Sequence, residues 1–164
     1  MTNFLNKNLM ADEKVIYSTK LHWVIYLWAL PFFLLGLILI FFGHNLGEPP
    51  VDTYVKWIGV FFIVACIIYE IYAYFLVKTS EFAVTNKRLI MKKGIFTTTT
   101  LELLHSKSES ISITQRIEGK IFGYGTIVVT GSGGTRNVFA SIEKPFEFRK
   151  VAQDEIDKAQ KTLR

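Results

Sequence analysis

The distribution of charged positions divides the chain into two unlike halves. No Lys, Arg, Asp or Glu occurs in residues 21–47, and Glu70 is the only one in residues 57–77. About 20 apolar residues in a helix cross the hydrocarbon core of a bilayer. The two runs therefore predict a transmembrane hairpin with helices at about 21–43 and 54–77.

Short alternating segments separated by turn residues follow the second apolar run. Such segments, rich in Thr, Val and Ile, are typical of the strands of a small barrel or sandwich. From Pro145 onward the apolar residues recur at helical spacing, which predicts a helix that covers the open end of a barrel. The predicted strands are centred on residues 82–85, 88–92, 97–104, 110–114, 126–130 and 136–140.

These patterns predict an α+β membrane protein with three parts. The parts are an N-terminal cytoplasmic segment at 1–20, the transmembrane hairpin at 21–77 and a cytoplasmic β-rich domain at 78–164. A signal peptide is the alternative interpretation of the first apolar run. That run is too long for a signal peptide and ends without a small-residue cleavage site.

Lysine and arginine flank the predicted hairpin and avoid the connection between its helices. Three lysines precede the first run and 15 Lys or Arg lie from Lys78 onward, whereas the connection has only Lys56. By the positive-inside rule, both termini are expected in the cytoplasm and the hairpin in the inner (plasma) membrane. Topology thus accounts for the net charge of +5. Because no nucleic-acid-binding motif is present, nucleic acid is not expected as a partner.

Four motifs in the second half stand out: Val84–Ile90 (VTNKRLI), Ile111–Ile113 (ISI), Phe122–Val129 (FGYGTIVV) and Ile142–Pro145 (IEKP). Two further segments, Glu13–Ile16 and His22–Trp23, lie before and at the start of the first apolar run. Together these segments resemble the bacterial pleckstrin-homology domain family, in its membrane-anchored form with two N-terminal transmembrane helices. The resemblance implies a seven-stranded, strongly bent, PH-like barrel capped by the C-terminal helix, and it implies no catalytic site.

Five basic residues that lie close in sequence to the second apolar run are candidate lipid-facing residues. Anionic headgroups attract such groups by about 1 kcal/mol each near the surface, which makes membrane lipids a candidate partner. The alternative is that these residues only satisfy the positive-inside rule and solvate strand edges. They are Lys78, Lys87, Arg88, Lys92 and Lys93.

Glu70 is the one acidic residue within the predicted spans. Carboxylates inside a membrane are costly and often functional. In an antiparallel hairpin Glu70 is expected near the depth of His22 and Tyr26, and we predict a structural hydrogen bond to one of them. A proton relay or a ligand site is the alternative.

Sequence signals for catalysis, metal binding or a cofactor are absent. The three histidines lie far apart, and the glycine-rich segment at 131–134 precedes a strand and lacks the Lys-Ser/Thr ending of a P-loop. We therefore expect no cofactor, no small-molecule substrate and no enzyme. The predicted function is a scaffold or binding module at the inner leaflet, within a larger membrane complex, with a protein partner or a second copy of the chain. The alternatives are an anionic-phospholipid headgroup sensor and a small transport or efflux accessory subunit.

Overall fold

The computed structural model describes residues 8–43 and 50–162. The chain forms two compact units, one from Met1–His22 together with Leu76–Arg164, and the other from Trp23–Phe75. The first, the β-rich unit, is thus discontinuous in sequence, and the second, the helical unit, is inserted into it. Most of the predicted connection between the two apolar helices falls on residues 44–49, outside the described residues.

The helical unit consists of apolar helices. They are α1 (Val24–Leu27), α2 (Leu30–Phe42) and α3 (Val51–Thr79), of which the last turn of α3 belongs to the β-rich unit. Among the described residues, Val24–Phe42 and Val51–Thr79 are long and apolar enough to cross a membrane. Only 17% and 11% of their most apolar stretches are buried inside the protein. Most of this apolar surface therefore faces outward.

The first apolar segment is interrupted near its start. A proline inside such a segment predicts a kink in a continuous helix. Instead, α1 ends at Leu27, and α2 starts at Leu30 with Pro31 in its first turn. Proline is well tolerated there because the first N–H groups of a helix have no partner within the helix.

Two glycines allow α2 and α3 to approach closely. A Cβ atom at Gly36 would lie 2.9 Å from the carbonyl oxygen of Gly59, and a Cβ atom at Gly59 would lie 2.8 Å from the carbonyl oxygen of Gly36. Small residues at such contacts are a common basis of helix pairing in membranes. The hydroxyl of Tyr69 adds a hydrogen bond to the carbonyl oxygen of Ile25 at 3.1 Å.

The described part of the β-rich unit contains two antiparallel sheets. The strands of the first sheet, in spatial order, are β1 (Val15–Thr19), β2 (Glu81–Thr85), β3 (Arg88–Lys93) and β4 (Thr99–Leu104). Those of the second sheet are β5 (Ser108–Thr114), β6 (Tyr124–Gly131) and β7 (Arg136–Glu143). Two helices complete the unit, α4 (Ile117–Phe122) between β5 and β6, and α5 (Pro145–Thr162) at the end.

The sheets do not close into a barrel, so the predicted seven-stranded barrel is wrong in this respect. On one side they meet, because Leu21 bridges to Ile142 and the N–H of Glu143 donates to the carbonyl oxygen of Lys20 at 3.0 Å. On the other side β4 and β5 are edge strands of different sheets. A 3-10 turn at His105–Lys107 redirects the chain between them, so the two strands form no ladder.

The predicted strands of the second half and the helix from Pro145 are all present, with ends shifted by a few residues. The helix buries Phe148, Ala152 and Ile156 on one face, as its apolar spacing predicted. Strand β1 and helix α4 were not predicted. In the core between the sheets, the rings of Phe82 and Phe139 pack edge to face at 5.7 Å.

Replacing Gly59 by Ala is expected to force α2 and α3 apart, because the new methyl group would meet a backbone oxygen that cannot swing away. The expected loss is roughly 1–3 kcal/mol in the free energy of unfolding, measured by denaturant titration of the detergent-solubilised chain. Gly133→Ala is the matched control, since no atom of the described residues lies within 4 Å of a Cβ at that position. Equal stability of the two variants would contradict the close approach of the helices.

Candidate functional site

A buried ionic cluster joins the N-terminal segment to the turn between β2 and β3. The side chains of Arg88 and Glu13 are 7% and 0% exposed. The Nε of Arg88 lies 3.0 Å from Glu13 Oε1, and a terminal N–H donates to Glu13 Oε2 at 3.1 Å. The other terminal nitrogen lies 2.6 Å from a carboxylate oxygen of Glu102. We call these three residues and Thr85 the Arg88 cluster.

Hydrogen bonds satisfy the remaining lone pairs of the Glu13 carboxylate. The hydroxyl of Thr85 lies 2.7 Å from Oε1, and the N–H of Met10 donates to Oε2 at 2.7 Å. The same hydroxyl accepts the N–H of Arg88 at 3.0 Å. A buried charge is tolerated only when it is paired and hydrogen-bonded, and Glu13 meets both conditions.

The two turn residues between Thr85 and Arg88 contact the same N-terminal segment. The side chain of Asn86 accepts the N–H of Lys14 at 2.9 Å and donates to the carbonyl oxygen of Asp12 at 3.0 Å. The ammonium of Lys87 donates to the carbonyl oxygen of Ala11 at 2.6 Å. The Thr-Asn-Lys-Arg turn therefore holds residues 8–14 in place through hydrogen bonds within the same chain.

The pKa of Glu13 reflects a balance within this cluster. Burial by itself raises the pKa. Hydrogen bonds from the Met10 N–H, Thr85 and Arg88, together with the charge of Arg88, outweigh burial and hold the pKa below its ordinary value. Because the folded state favours the carboxylate, the cluster stabilises the fold at neutral pH. This contribution is lost as the pH falls from the ordinary glutamate value through the lower folded-state pKa.

Next to the cluster, His105 is 1% exposed, and its Nε2 lies 2.7 Å from the carbonyl oxygen of Thr85. Since a carbonyl oxygen can only accept, Nε2 carries the hydrogen. The Nδ1 atom is buried and has no partner among the described residues. Those residues also contain no group of three or more His, Cys, Asp or Glu that could hold a metal ion.

The structure distributes the five candidate lipid-facing residues over separate places. Arg88 is buried in its cluster, and we exclude it from the candidate surface. Lys87 is exposed at the same turn, whereas Lys92 and Lys93 are half-buried at the opposite end of β3. Lys78 is exposed in the last turn of α3. A lipid-facing role for these lysines stays a prediction.

A groove of about 570 Å³ lies within the β-rich unit, between the end of β1, the end of α3 and the start of α5. The hydroxyl of Tyr17 donates to Glu147 at 3.1 Å. Burial is the largest cause, and this hydrogen bond the next largest, of a pKa for Tyr17 that is raised to about 12. The charged side chains that line the groove are three lysines and three glutamates: Lys20, Lys78, Lys144, Glu81, Glu143 and Glu147.

The candidate intramembrane residues are divided between the two units. Tyr26 and Glu70 line one mostly apolar groove of about 380 Å³ in the helical unit. His22 belongs to the β-rich unit, where its ring stacks on the ring of Tyr124, with 5.3 Å between the ring centroids. The imidazole also forms a hydrogen bond with the backbone of Phe122. A structural hydrogen bond of Glu70 stays a prediction.

Two apolar segments long enough to span a membrane, a two-sheet β unit and a covering C-terminal helix define an α+β protein. The family model described as Bacterial PH domain matches residues 25–156. The chain therefore belongs to the bacterial PH domain family, as its motifs predicted. PH-like domains are generally non-catalytic binding modules. No curated protein matches the chain.

Replacing Arg88 by Met is expected to lower the free energy of unfolding by roughly 3–5 kcal/mol, because Glu13 would stay buried without its cation. The measurement is denaturant unfolding of the purified chain in detergent at several pH values. The difference in the free energy of unfolding between wild type and variant is expected to narrow as the pH falls, since a protonated Glu13 needs no cation.

Lys144→Met is the matched control for this prediction. It removes an ammonium 3.8 Å from Glu147 in a pair whose two side chains are both exposed, so its expected cost is below about 1 kcal/mol. Equal losses from the two variants, or a gap that does not change with pH, would contradict a stabilising role of the Arg88 cluster.

Proposed function

We propose that this protein is a membrane-anchored, non-catalytic scaffold that binds a partner protein beside the inner leaflet. The apolar helices Val24–Phe42 and Val51–Thr79 cross the inner membrane as a hairpin, and both termini lie in the cytoplasm. The hydropathy of these helices, the charge distribution around them and the family support this proposal.

Pairing of β1 with β2 also supports the hairpin. Thr19 lies opposite Phe82 in this ladder, so the chain before the first apolar helix and the chain after the second meet in one sheet. Strands in one sheet lie on the same side of any membrane. An even number of crossings between them satisfies this condition, and a single crossing does not.

The observation that carries the binding role is the outer edge of the first sheet. Strand β4 pairs with β3 over six residue pairs and is the last strand of its sheet. It contains no proline, and Thr99, Thr100 and Glu102 are exposed. An edge strand presents a row of N–H and C=O groups to an added strand. Partner peptides use such edges through main-chain hydrogen bonds.

The link from the membrane helix to this sheet is short. Ser80 alone separates the end of α3 from the start of β2. Its N–H and its hydroxyl both donate to the carbonyl oxygen of Leu76, at 3.1 and 2.7 Å. In the proposed arrangement this capped connection holds the β-rich unit close to the lipid, so a bound partner is held there too.

Site-specific photocrosslinking in native membranes tests the edge. A photoreactive residue at Thr100 in the full chain is expected to give a discrete crosslinked product. The same residue at Gln153, exposed on α5, is the matched control and is expected to give none. Thr99→Lys should reduce the Thr100 product several-fold, because a lysine on an edge strand opposes strand addition.

The identity of the product distinguishes the partners of this proposal. Self-crosslinking indicates a second copy of the chain, and a crosslink to another protein indicates a complex with it. Equal products from Thr100 and Gln153, or no effect of Thr99→Lys, would contradict binding at the edge.

The groove beside Tyr17 favours a second candidate function, an anionic-phospholipid headgroup sensor. Its three lysines can bind a phosphate, although its three glutamates oppose a ligand that is purely anionic. For the full chain in detergent, anionic lipid is expected to raise the melting temperature more than phosphatidylcholine does, and salt should reduce the difference.

Paired substitutions locate any such binding. Lys78→Gln combined with Lys144→Gln should abolish the preference for anionic lipid, whereas Lys150→Gln, an exposed control on α5, should retain it. No preference at low salt would exclude this function. The full chain is required, because a fragment that begins at residue 78 lacks β1 and therefore Tyr17.

A further inference from the structure

Helix α4 exposes its large apolar residues and buries its glycine. Ile117 and Ile121 are 77% and 74% exposed, and Phe122 is 44% exposed. Gly119 is buried, and a Cβ there would lie 2.5 Å from the carbonyl oxygen of Tyr124. A helix that covers a soluble core has its apolar residues on the buried face. In α4 the two isoleucines, four residues apart, share an outward face instead.

A second exposed apolar side chain projects from the loop between β3 and β4. Phe96 is 93% exposed, the largest exposed fraction among the exposed large apolar residues of the described chain. The loop turns at Gly94, where φ is 125° and a Cβ would overlap the carbonyl oxygen of Thr97. A specific loop conformation, which requires glycine, therefore presents Phe96.

Both features lie where the β-rich unit continues into the apolar helices. The ring of His22, the last residue before the helical unit, bonds to the backbone of Phe122 at the end of α4. The hydroxyl of Thr79, the last residue of α3, donates to the carbonyl oxygen of Gly94 at 2.8 Å. The exposed apolar side chains thus flank the two points where the chain leaves the unit and returns to it.

Basic residues accompany these apolar side chains. Arg116 and Lys120 are exposed beside the isoleucines of α4, with one acidic residue, Glu118, between them. Lys93 precedes the loop that carries Phe96. Large apolar side chains bordered by Lys and Arg are typical of segments that lie in the headgroup region of a membrane.

We propose that Phe96, Ile117, Ile121 and Phe122 form an interfacial face that inserts into the headgroup–acyl boundary of the cytoplasmic leaflet. The β-rich unit then binds the bilayer surface directly, in addition to being tethered by its helices. This inference rests on the proposed membrane anchoring. The bilayer is the favoured occupant because the face adjoins the ends of the proposed spans and has a net positive border.

Quenching of a fluorescent label tests the depth of this face. Single cysteines are introduced as Ile121→Cys or Phe96→Cys in a Cys66→Ala background, labelled and reconstituted in vesicles that contain anionic lipid. Val138→Cys is the matched control, since Val138 is also well exposed, at 61%. Ile142 bridges to Leu21, just before the chain leaves the β-rich unit, and Val138 lies four residues from Ile142 along β7, a distance of about 13 Å.

Brominated lipids are expected to quench the labels at positions 121 and 96 at least about twofold more than the label at 138. Aqueous iodide should show the opposite order. Equal quenching by iodide at positions 121 and 138, without lipid quenching at 121, would overturn the interfacial face. Protection of position 121 from both quenchers would also overturn it, in favour of a contact with a second copy.

A label in the middle of α3 separates this proposal from membrane anchoring. Val64→Cys replaces a side chain that is 47% exposed. Quenching of that label by lipid brominated deep in its acyl chains, without lipid quenching at position 121, would overturn the interfacial face. The proposal of membrane anchoring would then still stand. Absence of lipid quenching at Val64 overturns the anchor itself.

Discussion

The buried ion pair of Arg88 with Glu13 joins two stretches of chain that the apolar helices separate. The two residues are 75 positions apart in sequence. Burying both charges is costly, so the pair is stable only with a complete set of hydrogen bonds around it. This requirement explains why the Thr85 hydroxyl and the Met10 N–H converge on one carboxylate. Once the pair forms, the segment before the helices becomes part of the domain that follows them.

This dependence determines what counts as the folded domain. The family match begins at residue 25, after β1 and Glu13, and so omits one strand of the first sheet. Without that strand, β2 becomes an edge, and Arg88 keeps only the partly exposed Glu102 as a carboxylate partner. The smallest unit that pairs Arg88 with its buried carboxylate therefore includes the N-terminal segment. Its two parts come together only after both apolar helices have been synthesised.

Local patterns were sufficient to predict the apolar helices, six of the strands and the last helix. Each of these elements has its own signal, either a long apolar run or an alternation with period two. Strand β1 has five residues, and its partner lies more than 60 positions away, so the local sequence pattern does not predict that it forms a strand of this sheet. Closure of the barrel failed as a prediction because it depends on the 3-10 turn between β4 and β5, which changes the direction of the chain.

The same limit applies to the candidate site. An arginine in a turn suggests a solvated, lipid-facing side chain, and only the position of Glu13 reveals that Arg88 is buried. Both residues occur in motifs that resemble the family, but the resemblance does not pair them. The residues that line the groove beside Tyr17 come from separate stretches of the chain, so the spacing of residues in the sequence does not predict the groove.

Strand β3 connects the principal features of the β-rich unit. Arg88 begins the strand, and Lys93 ends it about 17 Å away, next to the loop that presents Phe96. Strand β4 pairs with β3 along that whole length. The Arg88 cluster restrains one end of the sheet, and the bond from Thr79 to Gly94 restrains the other. A strand added to β4 would therefore meet a preformed edge. Binding to a preformed edge requires little ordering of the scaffold, so main-chain hydrogen bonds can contribute to affinity with little entropic loss from the domain.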